Sequence, residues 1–149
     1  MRQFDIYIDG ASKGNPGPAG VGVIICDGNE VVKNISSYIG RATNNVAEYT
    51  ALIFALEEAL ALGADRININ TDSQLLYRQL KKEYRVRSAE LLKLYQKVSS
   101  LVAAFKAVSL KNIPRQDNCG ADKLATQAVK EALKKKKSVK IFEVCSLKS

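Results

Sequence analysis

Thr43-Asn44-Asn45-Val46-Ala47-Glu48-Tyr49 opens the most apolar helical run of this 149-residue chain, and the run continues to Gly63. Counting by three and four, Leu52, Ala55, Leu56 and Ala59 share a stripe with Glu48, whereas Thr50, Glu57 and Glu58 lie on another. Glu48 therefore points inward, where an unpaired carboxylate is costly. A capping box offers a structural reason: Asn45 is then the N-cap, and Glu48 reaches back from the third helical position. A functional reason needs other inward carboxylates. The helix starts near Asn45, and Gly63 suits the position just past its end.

Working outward from this helix separates two kinds of strand connection. Upstream, Phe4 to Asp9 alternates at period two and reads as a strand, followed by a turn-rich loop from Gly10 to Pro18. Val21 to Cys26 is a second strand, Asp27-Gly28 signals a tight turn, and Val31 to Ile35 begins a third. Downstream, Ile67 to Thr71 reads as a strand, and Asp72-Ser73 starts a helix over Gln74 to Leu80. A basic connection, Lys81 to Arg87, leads to a longer helix from Ser88 with its apolar stripe at Leu91, Leu94, Tyr95, Val98, Leu101 and Val102. Val108 to Ile113 is a fifth strand stopped by Pro114, and a last helix runs from about Cys119 to the lysines at 134–137. The tail Val139 to Val144 is β-branched enough for a sixth strand in a C-terminal extension. With no repeat and no linker, residues 1–149 read as one α/β domain. Its mixed sheet has three antiparallel strands and then two parallel ones joined by helices.

Composition narrows the chemistry. Histidine is absent, which excludes Ser-His, Cys-His and His-ligated zinc mechanisms, and three cysteines are too few for a four-cysteine zinc site. Catalysis must rest on carboxylates, with or without metal ions. An odd cysteine number at unrelated spacings makes no disulfide framework, so a reducing cytoplasm is expected. No signal-peptide pattern opens the chain, and no apolar run reaches the roughly eighteen residues that span a bilayer. The net charge of +8 is uneven: residues 1–75 hold 5 Lys and Arg against 9 Asp and Glu, the remainder 18 against 6. Such asymmetry points to a polyanionic partner, although lysine-rich surfaces also serve solubility.

Three more acids occupy ends of elements: Asp9 late in the first strand, Asp72 after the fourth, and Asp122 in the first turn of the last helix. Singly, each has an ordinary reading as a turn residue, an N-cap or a charge favourable to a helix N-terminus. If the first and fourth strands are neighbours, however, Asp9 and Asp72 lie side by side, and two helix starts bring Glu48 and Asp122 to the same edge. Four carboxylates so close repel one another. Hard divalent ions such as Mg²⁺ relieve this, and a pair of them can hold both the attacking and the leaving oxygen of a phosphodiester displacement.

The ordered segments Tyr7 to Ser12, Gly14 to Gly20, Arg41 to Tyr49, Thr71 to Leu75 and Asn118 to Ala125 resemble the motifs of type 1 ribonuclease H. The resemblance implies a five-stranded mixed sheet with helices on both faces. It implies that Asp9, Glu48, Asp72 and Asp122 are catalytic and hold two Mg²⁺ or Mn²⁺ ions. The implied reaction is hydrolysis of the RNA strand of an RNA–DNA hybrid, leaving a 5′-phosphate and a 3′-hydroxyl. By the same matching, Asn15, Asn44, Asn45 and Gln74 contact the minor groove, where short amides can reach 2′-hydroxyls. Arg41 and Thr43 match a pocket for a DNA-strand phosphate, a guanidinium beside a hydroxyl being suited to that ligand. Their alternative reading is a loop arginine and a helix-capping threonine.

Three departures from the family pattern stand out. The loop Pro114 to Gly120 lacks the histidine that many members carry, so that its role is vacant or falls to Arg115 or water. The basic protrusion of some members is reduced to Lys81 to Arg87. Residues from about 134 onward have no counterpart in shorter members, and the lysine run there reads as a solvated helix end or as a phosphate contact. Double-stranded RNA stays open as a further substrate. Two alternatives are a non-cleaving module of the same fold that binds hybrids or double-stranded RNA, opposed by the four intact carboxylates, and a nuclease acting mainly on double-stranded RNA. A monomer without membrane association is expected.

Overall fold

The computed structural model describes residues 2–148, with side chains as far as Lys136. Its elements are β1 (Gln3–Ser12), β2 (Gly17–Asp27), β3 (Glu30–Ala42), α1 (Asn44–Ala61), β4 (Arg66–Thr71), α2 (Gln74–Leu80), α3 (Ala89–Val102), β5 (Ala107–Asn112), a 3-10 turn (Arg115–Asn118) and α4 (Cys119–Lys148). The strands form one five-stranded sheet in the order β3-β2-β1-β4-β5. β1 pairs with β2 and β2 with β3 antiparallel, whereas β4 runs parallel to both β1 and β5. The fold is the expected mixed sheet.

Local chemistry sets the element ends. Asp27 pairs with Glu30 across a two-residue turn, and Gly28 at φ 62° supplies its left-handed conformation. Gly63, at φ 80°, follows the C-cap Leu62 of α1 as expected. The start of α1 differs from the capping-box reading: Thr43, and not Asn45, is the N-cap, its Oγ1 accepting from Val46 N at 3.2 Å. A β-region Thr43 at φ −75° and ψ 163° has the conformation of a cap, while Asn45 already lies inside the helix. Glu48 is thus released from any capping duty.

The core lies between the sheet and α1, where Phe4, Ile6, Ile8, Val21, Val23, Ile67 and Ile69 meet Leu52, Ala55, Leu56 and Ala59. Each large apolar side chain so buried contributes on the order of 1.5–3 kcal/mol. The opposite face of the sheet receives α4. Gly22 permits that approach, since a Cβ there would meet Ala125 N at 2.7 Å. On the α1 side Gly10 does the same, a Cβ there lying 2.5 Å from Glu48 N. Both glycines sit beside the site, and they let two helices close on the end of β1.

The sixth strand expected over Val139 to Val144 falls in 137–149, whose side chains lie outside the described residues. The backbone there belongs to α4, not to a strand. A helix closes its hydrogen bonds within its own segment and needs no sheet edge.

Candidate active site

Parallel pairing of β1 and β4 sets Ile8 opposite Thr71, so the next residues lie side by side, Asp9 still within β1 and Asp72 just past the end of β4. Asp72 is not the N-cap of α2. Ser73 fills that place, its side chain accepting from Leu76 N at 3.2 Å, so the Asp72 carboxylate takes no part in the cap. Glu48 arrives from the first turns of α1 over Gly10, and Asp122 from the first turn of α4. Asp9 and Glu48 are buried at 5% and 4% exposure, whereas Asp72 is half-buried. One oxygen from each of Asp9, Glu48 and Asp72 lies within 4.8 Å of the other two. Asp122 lies outside that trio but lines the same cleft, near enough to Asp9 to help raise its carboxyl.

The electrostatics follow from this crowding. Burial pushes the Asp9 carboxyl up to about 7; the hydrogen bond with Glu48 opposes the shift, and the charge of Asp72 adds to it. Glu48 is raised well above the usual range by burial first and by Asp9 second, while the Gly10 N–H works the other way. Asp72 is also raised by burial, against hydrogen bonding from Asn118 and the nearby positive charge of Arg115. Among the described buried side-chain atoms, Glu48 Oε2 has no hydrogen-bond partner. A buried acceptor without a donor, inside a cluster of acids resisting ionisation, is the environment that a cation would relieve. The all-oxygen donor set fits a hard divalent ion.

Asn118 has a role that sequence reading did not assign. Fully buried, it donates through Nδ2 to the carbonyl of Ile8 at 2.8 Å and to Asp72 Oδ2 at 3.3 Å. It thereby joins β1, at the residue before Asp9, to the acid following β4. The only signal in the sequence was its position at the head of the last matched segment.

The remaining expected residues divide into two groups. Asn44 and Arg115 line the carboxylate cleft, an open space of about 410 Å³. Asn15 lies beyond it in the β1–β2 loop and is tied to that region, its Oδ1 accepting from Asn44 N at 3.1 Å. Asn45 and Gln74 are exposed in the first turns of α1 and α2, and Arg41 is exposed near the end of β3. Thr43 caps α1, so the alternative reading of that residue holds. Its hydroxyl hydrogen is still free to donate, because a hydroxyl both donates and accepts. Cys119, exposed, gives its thiol to the carbonyl of Gln116 at 2.9 Å and is not on the cleft.

A family model described as reverse transcriptase-like matches residues 7–128. The structure superposes on the crystal structure of RNase H1 from the halophilic archaeon Halobacterium salinarum with a TM-score of 0.84 at 41% identity, covering 87% of this chain and 98% of that one. The chain belongs to the type 1 ribonuclease H family. Another ribonuclease H of similar shape, LC11-RNase H1, was solved in complex with an RNA/DNA hybrid, with a TM-score of 0.83 at 38% identity over 87% of this chain and 99% of that one. Among curated relatives, the bifunctional protein Rv2228c of Mycobacterium tuberculosis is 41% identical over 129 residues, which are 85% of this chain and 35% of the relative. The chain thus spans about a third of the length of the first curated relatives it matches. No helix among the described residues is long and apolar enough to cross a membrane.

Proposed function

We propose that this chain is a metal-dependent endoribonuclease that hydrolyses the RNA strand of RNA–DNA hybrids to 5′-phosphate and 3′-hydroxyl ends. The observation that carries the reading is the convergence of Asp9, Glu48 and Asp72 around the unpartnered Glu48 Oε2. The ribonuclease H bound to a hybrid at 38% identity supports the choice of substrate.

Asp9, Glu48, Asp72 and Asp122 would hold two ions, Mg²⁺ or Mn²⁺. Bound there, such ions supply positive charge to the attacking and leaving oxygens of an in-line displacement. The protein's own groups do the positioning. Asn118 sets the orientation of Asp72, and Gly10 leaves the room in which Glu48 approaches Asp9. Arg115 lines the cleft near Asp72, where a guanidinium can grip a phosphate oxygen in place of the absent histidine. Asn15, Asn44, Asn45 and Gln74 offer amides to 2′-hydroxyls of the minor groove, and Arg41 with Thr43 offers a pocket to a DNA-strand phosphate. All of these groups come from one chain, so a monomer suffices. The free thiols of Cys26 and Cys119 fit a reducing cytoplasm.

One gel tests the reading: a labelled RNA–DNA hybrid, double-stranded RNA and double-stranded DNA, each with Mg²⁺, Mn²⁺ or EDTA. Cleavage of the hybrid with an ion, and none in EDTA, is expected. Hybrid left whole under every ion condition refutes the enzymatic reading. Cutting of double-stranded RNA would widen the substrate class, since that duplex also shows 2′-hydroxyls in a wide minor groove.

A further inference from the structure

Beside the carboxylate cleft lies a second cavity of about 310 Å³, bounded by Ser12 and Lys13 on one side and by Thr126, Val129, Lys130 and Leu133 of α4 on the other. Ser12 and Thr126 line both cavities, so the second continues the first. The α4 wall is a helical ladder: Asp122, Thr126 and Lys130 are spaced by four and lie on one face. At 1.5 Å per residue, Lys130 stands about 12 Å along the axis from Asp122.

The opposite wall is held in place. The Lys13 N–H donates to the carbonyl of Pro18 at 2.8 Å, and the Ser12 hydroxyl donates to the carbonyl of Ala42 at 2.8 Å. Lys13 and Lys130 are both exposed, and neither forms an ion pair among the described residues. Two lysines that line one groove put like charges beside it, and an anion held between them would relieve the repulsion. Val129 and Leu133 present no donor or acceptor to the same space, and its polar groups, two lysines and the hydroxyls of Ser12 and Thr126, suit phosphate oxygens. An anion with an apolar flank describes the sugar-phosphate backbone.

We infer that Lys13 and Lys130 together hold a backbone phosphate of the cut strand, neighbouring the one that enters the carboxylate cleft. The inference rests on the proposed reading that hybrids are the substrate. It adds a grip on the α4 side of the cleft, apart from the minor-groove amides and from the pocket of Arg41 and Thr43. Because the contact is to phosphate, it acts on every sequence alike and requires the strand to extend past the cleft.

The test is binding of a labelled hybrid to the full chain in EDTA, followed by fluorescence anisotropy over a series of salt concentrations. Releasing one phosphate contact lowers the slope of log affinity against log salt by about 0.9. Lys13→Gln/Lys130→Gln is expected to show that loss, while Lys13→Arg/Lys130→Arg keeps the wild-type slope. Lys93→Gln/Lys97→Gln removes the same charge from exposed positions of α3 and serves as the control. An unchanged slope in the first glutamine pair overturns the inference. An equal fall in the α3 control overturns it too, since the effect would then belong to the overall field. Wild-type protein that binds the hybrid but does not cut it refutes the hydrolytic reading alone, and the lysine site is still judged by its slope. Wild-type protein that does not bind the hybrid even at low salt refutes both. Thermal melts of each variant separate lost contacts from lost folding.

Discussion

Asn118 Nδ2 stands 3.3 Å from Asp72 Oδ2 and, through the same nitrogen, 2.8 Å from the carbonyl of Ile8. One buried amide therefore links β1, at the residue before Asp9, to Asp72 just past the end of β4. Asn118→Ala leaves the Ile8 carbonyl without its side-chain donor and is expected to cost about 1–3 kcal/mol of stability. The ion concentration needed for half-maximal cleavage should rise as well, because Asp72 loses its orientation. Denaturant melts and a Mg²⁺ titration of cleavage check the two effects. A destabilised variant with an unaltered ion requirement would make Asn118 structural only.

Asp72 itself supplies the second test. Since Ser73 caps α2, the carboxylate of Asp72 has no structural duty in that helix. Asp72→Asn should fold with wild-type stability or better, because burial already disfavours its charge. Cleavage should fall by at least about a hundredfold, a neutral amide being a poor partner for a hard cation. Unchanged cleavage would remove Asp72 from the site.

How these acids could be read from sequence differs from residue to residue. The inward stripe of Glu48 was legible because helix periodicity is local, and Leu52, Ala55, Leu56 and Ala59 are all buried with it. The adjacency of Asp9 and Asp72 was legible only on the condition that β1 and β4 are neighbours, a long-range fact that no local pattern contains. The cap of α1 was misplaced by two residues, because Thr, Asn and Asn in succession are all good caps and φ/ψ decides among them. Asn118 stayed unassigned for a related reason. A buried asparagine is recognised by its partners, and here both lie at least 46 residues away in sequence.

The crowded acids also predict a pH dependence. The folded protein keeps a proton on Asp9 up to about pH 7, whereas the unfolded chain releases it near the usual 3.8. The folded state thus binds more protons across this window, and its stability falls as pH rises from about 4 to 7. In EDTA, the melting temperature should drop over that range, and Asp9→Asn should flatten the drop. Apparent Mg²⁺ affinity should tighten over the same range, because binding displaces the proton. A melting temperature in EDTA that rises through pH 5–7 in the wild type, with Asp9→Asn following it, would contradict the assignment.

Arg115 lines the cleft, and its charge acts on Asp72. If it stands where other family members carry histidine, Arg115→Ala should lower turnover on the order of tenfold. That is less than the loss of a fully enclosed donor, since Arg115 is exposed. Hybrid affinity should change less than turnover does. Single-turnover rates beside equilibrium binding make the comparison, and equal rates for the two proteins would show that no residue fills the histidine's place.

The chain also carries a correctable strain. Lys82 follows the C-cap Lys81 of α2 at φ 63°, the only non-glycine in the left-handed region among the described residues. Its N–H donates to the carbonyl of Gln79 at 3.1 Å, so the backbone geometry is fixed by the end of the helix rather than by the lysine side chain. A side chain in that conformation costs about 1–2 kcal/mol, and glycine avoids most of it while gaining some freedom when unfolded. Lys82→Gly should therefore stabilise the protein by about 1 kcal/mol, or roughly 2–4 °C in melting temperature for a domain of this size. The same variant removes a positive charge from the short basic connection between α2 and α3. Hybrid binding measured on the stabilised protein then reports that charge alone, and a slope of affinity against salt equal to wild type would place Lys82 outside the substrate footprint. A melting temperature at or below the wild-type value would mean that the Lys82 side chain contributes packing that outweighs its backbone strain.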